Sequence, residues 1–428
     1  MMLIIIRMPL GESQTSRLLT DPPVRKKMLF DSDDATLLTC ASSDLDSAFQ
    51  EMLTCAPEET CYFLNERALR TQKQLFDSHF LPDYPSRHIA YAVKANPRRR
   101  ILQILSEEGM DYFDCASINE ISRVQAVQPR ATNLYNHPIK RSCDIKQALK
   151  QGVDTFTVQS REEVKKIFDS AALGQPLNIM LRLSTLNAAA GIDLSTKYGA
   201  DIHTAQQLLV YLRASSREHL RTSVSVNTGS QNSDANSFIE GMKYIRYFAD
   251  AHEVFDTVNL GGGIPVSYAS NDDYSTIQYL DTITAGVQDI LSDHLVADSH
   301  IVIEPGRSLV APVVDLTIPV LAKEERGGKP CIYAHDGIFT SFTDHVVHGW
   351  PYYFRVLDHH GRERTGATVS HTFFGHTCDS GDVMHEVPLP SDVQAGDYLW
   401  LQNAGAYMDS QATRFNGLEP AKYISFNS

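Results

Sequence analysis

Neither CxxC nor HExxH occurs in the sequence, so two common metal-ligand spacings are missing. The seven cysteines are odd in number and show no paired spacing, which argues against a disulfide framework and for reduced thiols in the cytoplasm. Positive charge is also in deficit: 38 Lys and Arg stand against 52 Asp and Glu, a net charge of -14. Such a balance disfavours nucleic acid or an anionic membrane as the main partner, while remaining compatible with a cationic small molecule. Long apolar runs are absent near the start. MMLIIIRMPL is broken at Arg7, has no cleavage-site pattern after it and is too short to span a bilayer; Met8 and Met28 are alternative starts. There is no low-complexity segment.

What is present is a globular composition, 43% hydrophobic and 21% charged over 428 residues, long enough that two domains are expected. Residues up to about 60 are polar and weakly periodic and read as an irregular arm, followed by a first strand at Cys61 to Leu64. The spacing of Leu69, Leu75, Phe76 and Phe80 then predicts a helix ending before Pro82. Beyond it, eight short β-like runs alternate with segments of helical composition: HIAYAVK, DYFDC, TNLYN, VDTFTV, NIMLRL, TSVSVNT, TVNL and IVIEP. Eight units of this size match a (β/α)8 TIM barrel over residues 65–308. An open doubly wound sheet alternates in the same way, but the count favours the barrel. Residues 1–64 are the arm and first strand, joining a C-terminal β domain over 309–428. There, runs such as VVDLTIPVLA and DYLWLQ, separated by Gly, Pro and Asp turns, predict a mainly antiparallel sheet.

Residues with chemical potential fall at the C-terminal ends of the eight runs, where barrel active sites form. Lys94 closes the first run just before Pro97 and is placed like a reactive amine, although a lone lysine there is ordinarily a solvated end charge. NLGGGIP after the seventh run offers backbone N–H groups to an anion, and Gly229-Ser230 and Arg307 add a hydroxyl and a forked cation. Glu304, at the end of the eighth run, reads either as half of a structural ion pair or as the partner of a protonated pyridine nitrogen. An imine-forming lysine, a phosphate cradle and an acidic ring partner together describe a pyridoxal phosphate site.

The segments YAVKAN, FDCASINEI, KYG, NTGSQ, NLGGGIP, IEPGR, HDGIFTSF, GHTCDSGD, GAY and RFNG carry a resemblance to the ornithine/diaminopimelate decarboxylase family, from about Lys94 to Gly417. FDCAS and TCDS are more similar to the eukaryotic-type ornithine branch. The resemblance implies pyridoxal 5'-phosphate as cofactor, with Lys94 as the Schiff-base lysine and Glu304 as ring partner. Ser230, Gly261, Gly262, Gly263, Arg307 and Tyr407 would hold the phosphate. Asp114 and Glu120 would support the Lys94 region, with Arg182 near the cofactor. It further implies a head-to-tail homodimer, in which Cys378 and Asp379 reach the partner's site, Cys378 as proton donor. Asp344, His348, Asp379 and Phe415 fall at substrate-binding positions. Three departures stand out: Asn227 where relatives place a ring-stacking histidine, His348 where ornithine decarboxylases place an aspartate, and His376 in place of a proline before TCD.

The expected activity is decarboxylation of an amino acid with a distal polar or basic group, in polyamine or other amino-acid metabolism. L-Ornithine, L-lysine or a conjugated diamino acid are the candidate substrates. The competing class is an inert relative that acts as a regulatory binding protein, and retention of Lys94, Glu304, Arg307, Cys378 and Tyr407 speaks against it.

Overall fold

The computed structural model describes residues 37–39, 45–55, 58–185, 189–249, 255–268, 272–291 and 299–427. The N-terminal apolar run and the alternative starts lie outside these residues. Strands β1 (Leu37–Thr39) and β2 (Cys61–Asn65) precede the barrel in the chain. The barrel strands are β3 (Arg87–Ala92), β4 (Tyr112–Cys115), β5 (Thr132–Tyr135), β6 (Thr155–Val158), β7 (Leu177–Arg182), β9 (Leu220–Ser225), β11 (Thr257–Asn259) and β12 (His300–Ile303). They close as β11-β12-β3-β4-β5-β6-β7-β9, and every pair is parallel. The (β/α)8 expectation is borne out. Two short strands, β8 (Ala190–Ile192) and β10 (Ser230–Asn232), pair above the barrel and tie the loop after β7 to the loop after β9.

Local sequence explains the elements. The helix Glu66–His79 buries Leu69 and Phe76 on one face, and the helix Ile118–Val127 opens on a variant of the capping box, its return bond made one residue before the N-cap. In that box Ser117 accepts from the Glu120 amide at 3.2 Å, while the Glu120 carboxylate accepts from the Ala116 amide at 2.6 Å. Glu120 therefore helps to start a helix, and the charges of Asp114 and Lys94 also act on its carboxyl. The helices cover the strands with one continuous apolar core, which runs on through Leu309, Leu316 and Ile318 into the second domain.

That domain is a mixed sheet around the long β13 (Val314–Arg326), which pairs antiparallel with β2, with β14 (Lys329–Ala334) and with β18 (Tyr398–Leu401). The remaining strands are β15 (Arg355–Leu357), β16 (Thr368–Phe374), β17 (Val383–Pro390) and β19 (Lys422–Phe426); β19 is inserted parallel between β1 and β2. Strand β17, VMHEVPLP with two prolines, is not among the runs named from the sequence. Among the described residues it sits at the sheet edge, paired with β16 alone, where missing amide donors cost least. A helix, Leu45–Cys55, replaces part of the expected irregular arm; Phe49 and Met52 pack against Phe63, Trp400 and Ile424.

The two domains meet at the C-terminal mouth of the barrel. Asn96, just beyond β3, donates to the Gly405 carbonyl and to the Tyr423 hydroxyl, and Arg98 grips Asp409 through two bonds of 2.8 and 2.7 Å. Tyr407 adopts φ +64° and donates its amide to the Ala95 carbonyl, which sets its ring over the barrel mouth.

Candidate active site

Strand β3 stops at Ala92, and a single 3-10 turn, Val93–Ala95, carries Lys94 into the barrel mouth. The Lys94 side chain retains 44% of its accessible surface, opening on a cleft, and its Nζ donates to Asp114 Oδ2 at 2.8 Å. Burial works to lower the pKa of this amine, but Asp114, Tyr407 and Glu304 outweigh it and raise the value above the ordinary lysine range. Asp114, at the end of β4, is buried and also accepts from Asn136 Nδ2 at 2.9 Å.

Glu304 follows β12. Its Oε1 accepts from Asn136 Nδ2 at 2.5 Å and from Asn259 Nδ2 at 2.6 Å. Burial first, then the charge of Asp114, pushes the Glu304 carboxyl up, against the opposing pull of Lys94 and Arg182. Arg182, at the end of β7, lies 5.0 Å from the Tyr198 ring, and its burial lowers its pKa.

The glycine loop is built from backbone against backbone. A Cβ on Gly262 would sit 2.4 Å from the Glu304 carbonyl, and one on Gly263, at φ +122°, would sit 2.4 Å from the Gly229 carbonyl. The loops after β9, β11 and β12 are thereby brought close together, with Ser230 among them. Asn227 lines the cleft with an amide and no ring. Its Oδ1 accepts from the Gly229 amide at 3.0 Å, so the side chain shapes the loop.

Arg307 is buried and clamped by aromatic rings: Trp350 at 4.3 Å and Tyr407 at 4.7 Å from the guanidinium carbon, with the Tyr268 hydroxyl accepting at 2.9 Å. Its nearest carboxylate is Asp344 at 3.8 Å, and its Nε is buried with no hydrogen-bond partner. A cation held this way has donor capacity left for an anion.

Lys94, Asn227, Ser230, Gly262, Gly263, Glu304, Arg307 and Tyr407 line one cleft, about 430 Å³ counted to its open mouth. Asp114 stands behind Lys94, while Gly261 and Arg182 do not line the cleft. On the other side of Arg307 lies a larger aromatic cleft of about 790 Å³, walled by Tyr268, Tyr274, Trp350, Tyr352, Tyr353 and Met408, with Asp272 and Asp344. His348 lines neither; it ends the short helix Thr343–His348 and packs against Trp350, ring centroids 5.5 Å apart. Cys378 and Asp379 stand on an exposed loop, and Asn416, from the turn Phe415–Gly417, donates to Cys378 Sγ at 3.1 Å. Phe415 is exposed beside Phe339, and these three line neither cleft within one chain.

Sequence reasoning missed Asn136, Asn259 and Trp350. The first two were visible as polar residues at the C-terminal ends of β-like runs; Trp350 left no signal. The cleft presents an amine, a buried carboxylate, a guanidinium with an unspent donor and a glycine-walled loop. These suit, in turn, an aldehyde, a basic ring nitrogen and a phosphate, so the donor set fits pyridoxal 5'-phosphate.

Comparison with known proteins agrees. Residues 67–311 match the family described as pyridoxal-dependent decarboxylase, pyridoxal binding domain. The chain is 27% identical over 347 residues to a lysine/ornithine decarboxylase of Selenomonas ruminantium, covering 80% of this chain and 84% of the relative. It is 29% identical to antizyme inhibitor 2 of Xenopus laevis, covering 79% and 76%. Among solved structures it is similar to a lysine/ornithine decarboxylase from Vibrio vulnificus complexed with putrescine, at a TM-score of 0.73 and 26% identity, covering 90% of this chain and 99% of the other.

Proposed function

The chain belongs to the pyridoxal-dependent decarboxylase family and is an amino-acid decarboxylase using pyridoxal 5'-phosphate; from that premise we propose the substrate class and the part each residue plays. The observation that carries the assignment is the convergence of Lys94, Glu304 and Arg307 on one cleft. When bound, the cofactor's pyridine ring supplies an electron sink for the charge left at Cα as carbon dioxide departs. Lys94 binds the cofactor through its amine. Glu304 holds a proton on the ring nitrogen, and Arg307, Ser230 and the glycine loop bind the phosphate, with Tyr407 closing the mouth. Since one relative is named an antizyme inhibitor, the retained residue set supports catalysis here more than overall likeness does.

The substrate we propose carries a distal polar or basic group, as L-ornithine and L-lysine do, and a conjugated diamino acid is favoured. A buried ammonium needs an unspent carboxylate. In the aromatic cleft Asp344 faces Arg307, and Asp272 accepts from the Tyr268 amide at 2.9 Å. Carbon dioxide release from a panel of free and conjugated diamino acids tests this. Free ornithine should be turned over poorly; efficient ornithine turnover overturns the preference for a conjugate. Absence of both cofactor absorbance and carbon dioxide release overturns the whole reading.

The active unit is proposed to be a cytoplasmic homodimer, a reading supported by the exposed Cys378 and Asp379 and by the five free cysteines of the described residues. If Cys378 serves the other subunit's cleft, mixing inactive Lys94→Ala with inactive Cys378→Ala restores about a quarter of native activity, since random pairing leaves one intact site in half the dimers. No recovery after confirmed subunit exchange removes the shared site.

A further inference from the structure

Asn136 lies one residue beyond β5, and its amide nitrogen donates in two directions, to Asp114 Oδ1 at 2.9 Å and to Glu304 Oε1 at 2.5 Å. Its own Oδ1 accepts from Thr157 Oγ1 at 2.7 Å, and only the NH2 end of the amide can donate to the two carboxylate oxygens, which sets its orientation. Asn259 donates to the same Glu304 oxygen, so both amides hold Oε1. Among the described residues no hydrogen bond reaches Oε2, and Glu304 lines the cofactor cleft. The carboxylate that answers Lys94 and the carboxylate that faces the cleft are therefore joined through one amide group.

We propose that Asn136 is a positioning residue that couples Asp114 to Glu304 and presents Glu304 with Oε1 held and Oε2 turned to the cofactor's ring nitrogen. The inference rests on the functional reading above and adds to it a device that holds the Glu304 carboxylate in place beside a second buried carboxylate. A donor shared between like charges lowers their mutual repulsion, and protonation of Oε1 would set an O–H against two N–H groups. A proton shared between Glu304 and the ring nitrogen is thus confined to the Oε2 side.

The test is a spectrophotometric pH titration of the holoenzyme, with steady-state kinetics, on wild type, Asn136→Ala, Asn136→Asp and Thr157→Val. Loss of the shared donor leaves Glu304 facing Asp114 without the amide between them and raises the proton affinity of Glu304. In Asn136→Ala the midpoint of the cofactor's absorbance change should move up by about one pH unit, and kcat should fall about tenfold with KM changed less than about threefold. Asn136→Asp should move it further in the same direction. Thr157→Val, which leaves the amide in place but free to turn, should move it less. A midpoint within about 0.3 units of wild type in folded Asn136→Ala overturns the proposal, because loss of a merely structural contact would lower the melting temperature and leave the titration alone. Should Asn136→Ala fail to fold, an unshifted Thr157→Val overturns it instead. A wild type that takes up no cofactor overturns the functional reading and this inference together.

Discussion

At the N-terminal end of the barrel Arg221 lies between two aspartates, donating to Asp154 at 2.6 Å and to Asp256 at 3.1 Å, while Asn178 donates to Asp256 and accepts from Ser223. At the C-terminal end the same residue types leave capacity unspent. Glu304 has one oxygen with no hydrogen bond among the described residues, Arg307 has a buried Nε without a partner, and Lys94 opens on the cleft. The lower end also holds the larger cavity, about 1010 Å³ against 430 Å³ for the cofactor cleft. Cavity size therefore does not mark the chemistry; unspent donors and acceptors do. The difference follows from the fold, since loops after the strands assemble the upper end, whereas the lower end has only to close the barrel.

The contrast is tested hardest at Glu304. Glu304→Gln keeps the shape and the two amide contacts but loses the charge that holds the ring proton. Turnover should fall about 10²–10³-fold, the range for removing one preorganised electrostatic group. The melting temperature should stay level or rise, since a buried carboxylate with a raised pKa is lost. Steady-state kinetics and thermal unfolding read both; turnover within about threefold of wild type means the ring-partner role is wrong.

Much of this upper end was legible in the sequence, because barrel topology puts catalytic groups at strand ends. Lys94, Glu304, Arg307 and the glycine triplet could be found by asking what closes each β-like run. Asn136 and Asn259 ended or opened such runs too, yet an asparagine there is also an ordinary turn residue, and only three-dimensional closure shows both amides on one carboxylate oxygen. Counting along the chain put His348 at a substrate position. Within one chain the helix Thr343–His348 sets it against Trp350 and keeps Asp344 beside Arg307. Glu120, in S-x-x-E before an apolar run, caps a helix start, and it also lies close enough to Asp114 and Lys94 for their charges to act on its carboxyl. The lower end was not read from the sequence, because Arg221, Asp154 and Asp256 come from strands far apart in the chain.

A smaller effect should separate the ends in the opposite sense. Arg221→Met removes the cation between Asp154 and Asp256 and leaves two carboxylates facing each other. Because Arg221 is 41% exposed, water screens much of the loss, and the cost should be about 1 kcal/mol. Chemical denaturation measures that cost, and kcat should not change. A tenfold loss of kcat with unchanged stability would make the lower cluster part of the catalytic apparatus and dissolve the distinction.

The smallest effect is confined to acid and comes from the histidine pair at the same end. His88 stacks on Tyr112, ring centroids 3.7 Å apart, and its Nε2 lies 2.8 Å from His300 Nδ1. Burial, then the neighbouring His300, lowers the His88 pKa from 6.5 to about 4. A histidine that is harder to protonate in the folded than in the unfolded state favours folding above the unfolded value, and that contribution is lost as pH falls from about 6.5 to about 4. A full shift of this size corresponds to about 3 kcal/mol, and partial exposure of the ring reduces the expected contribution to less than about 1 kcal/mol. Thermal unfolding of wild type between pH 4 and 7 should therefore show stability declining toward acid, with a shallower slope in His88→Phe and no corresponding change in turnover near neutrality. Equal slopes in the two proteins would show that other groups carry the acid sensitivity and that the pair at the lower end serves packing alone.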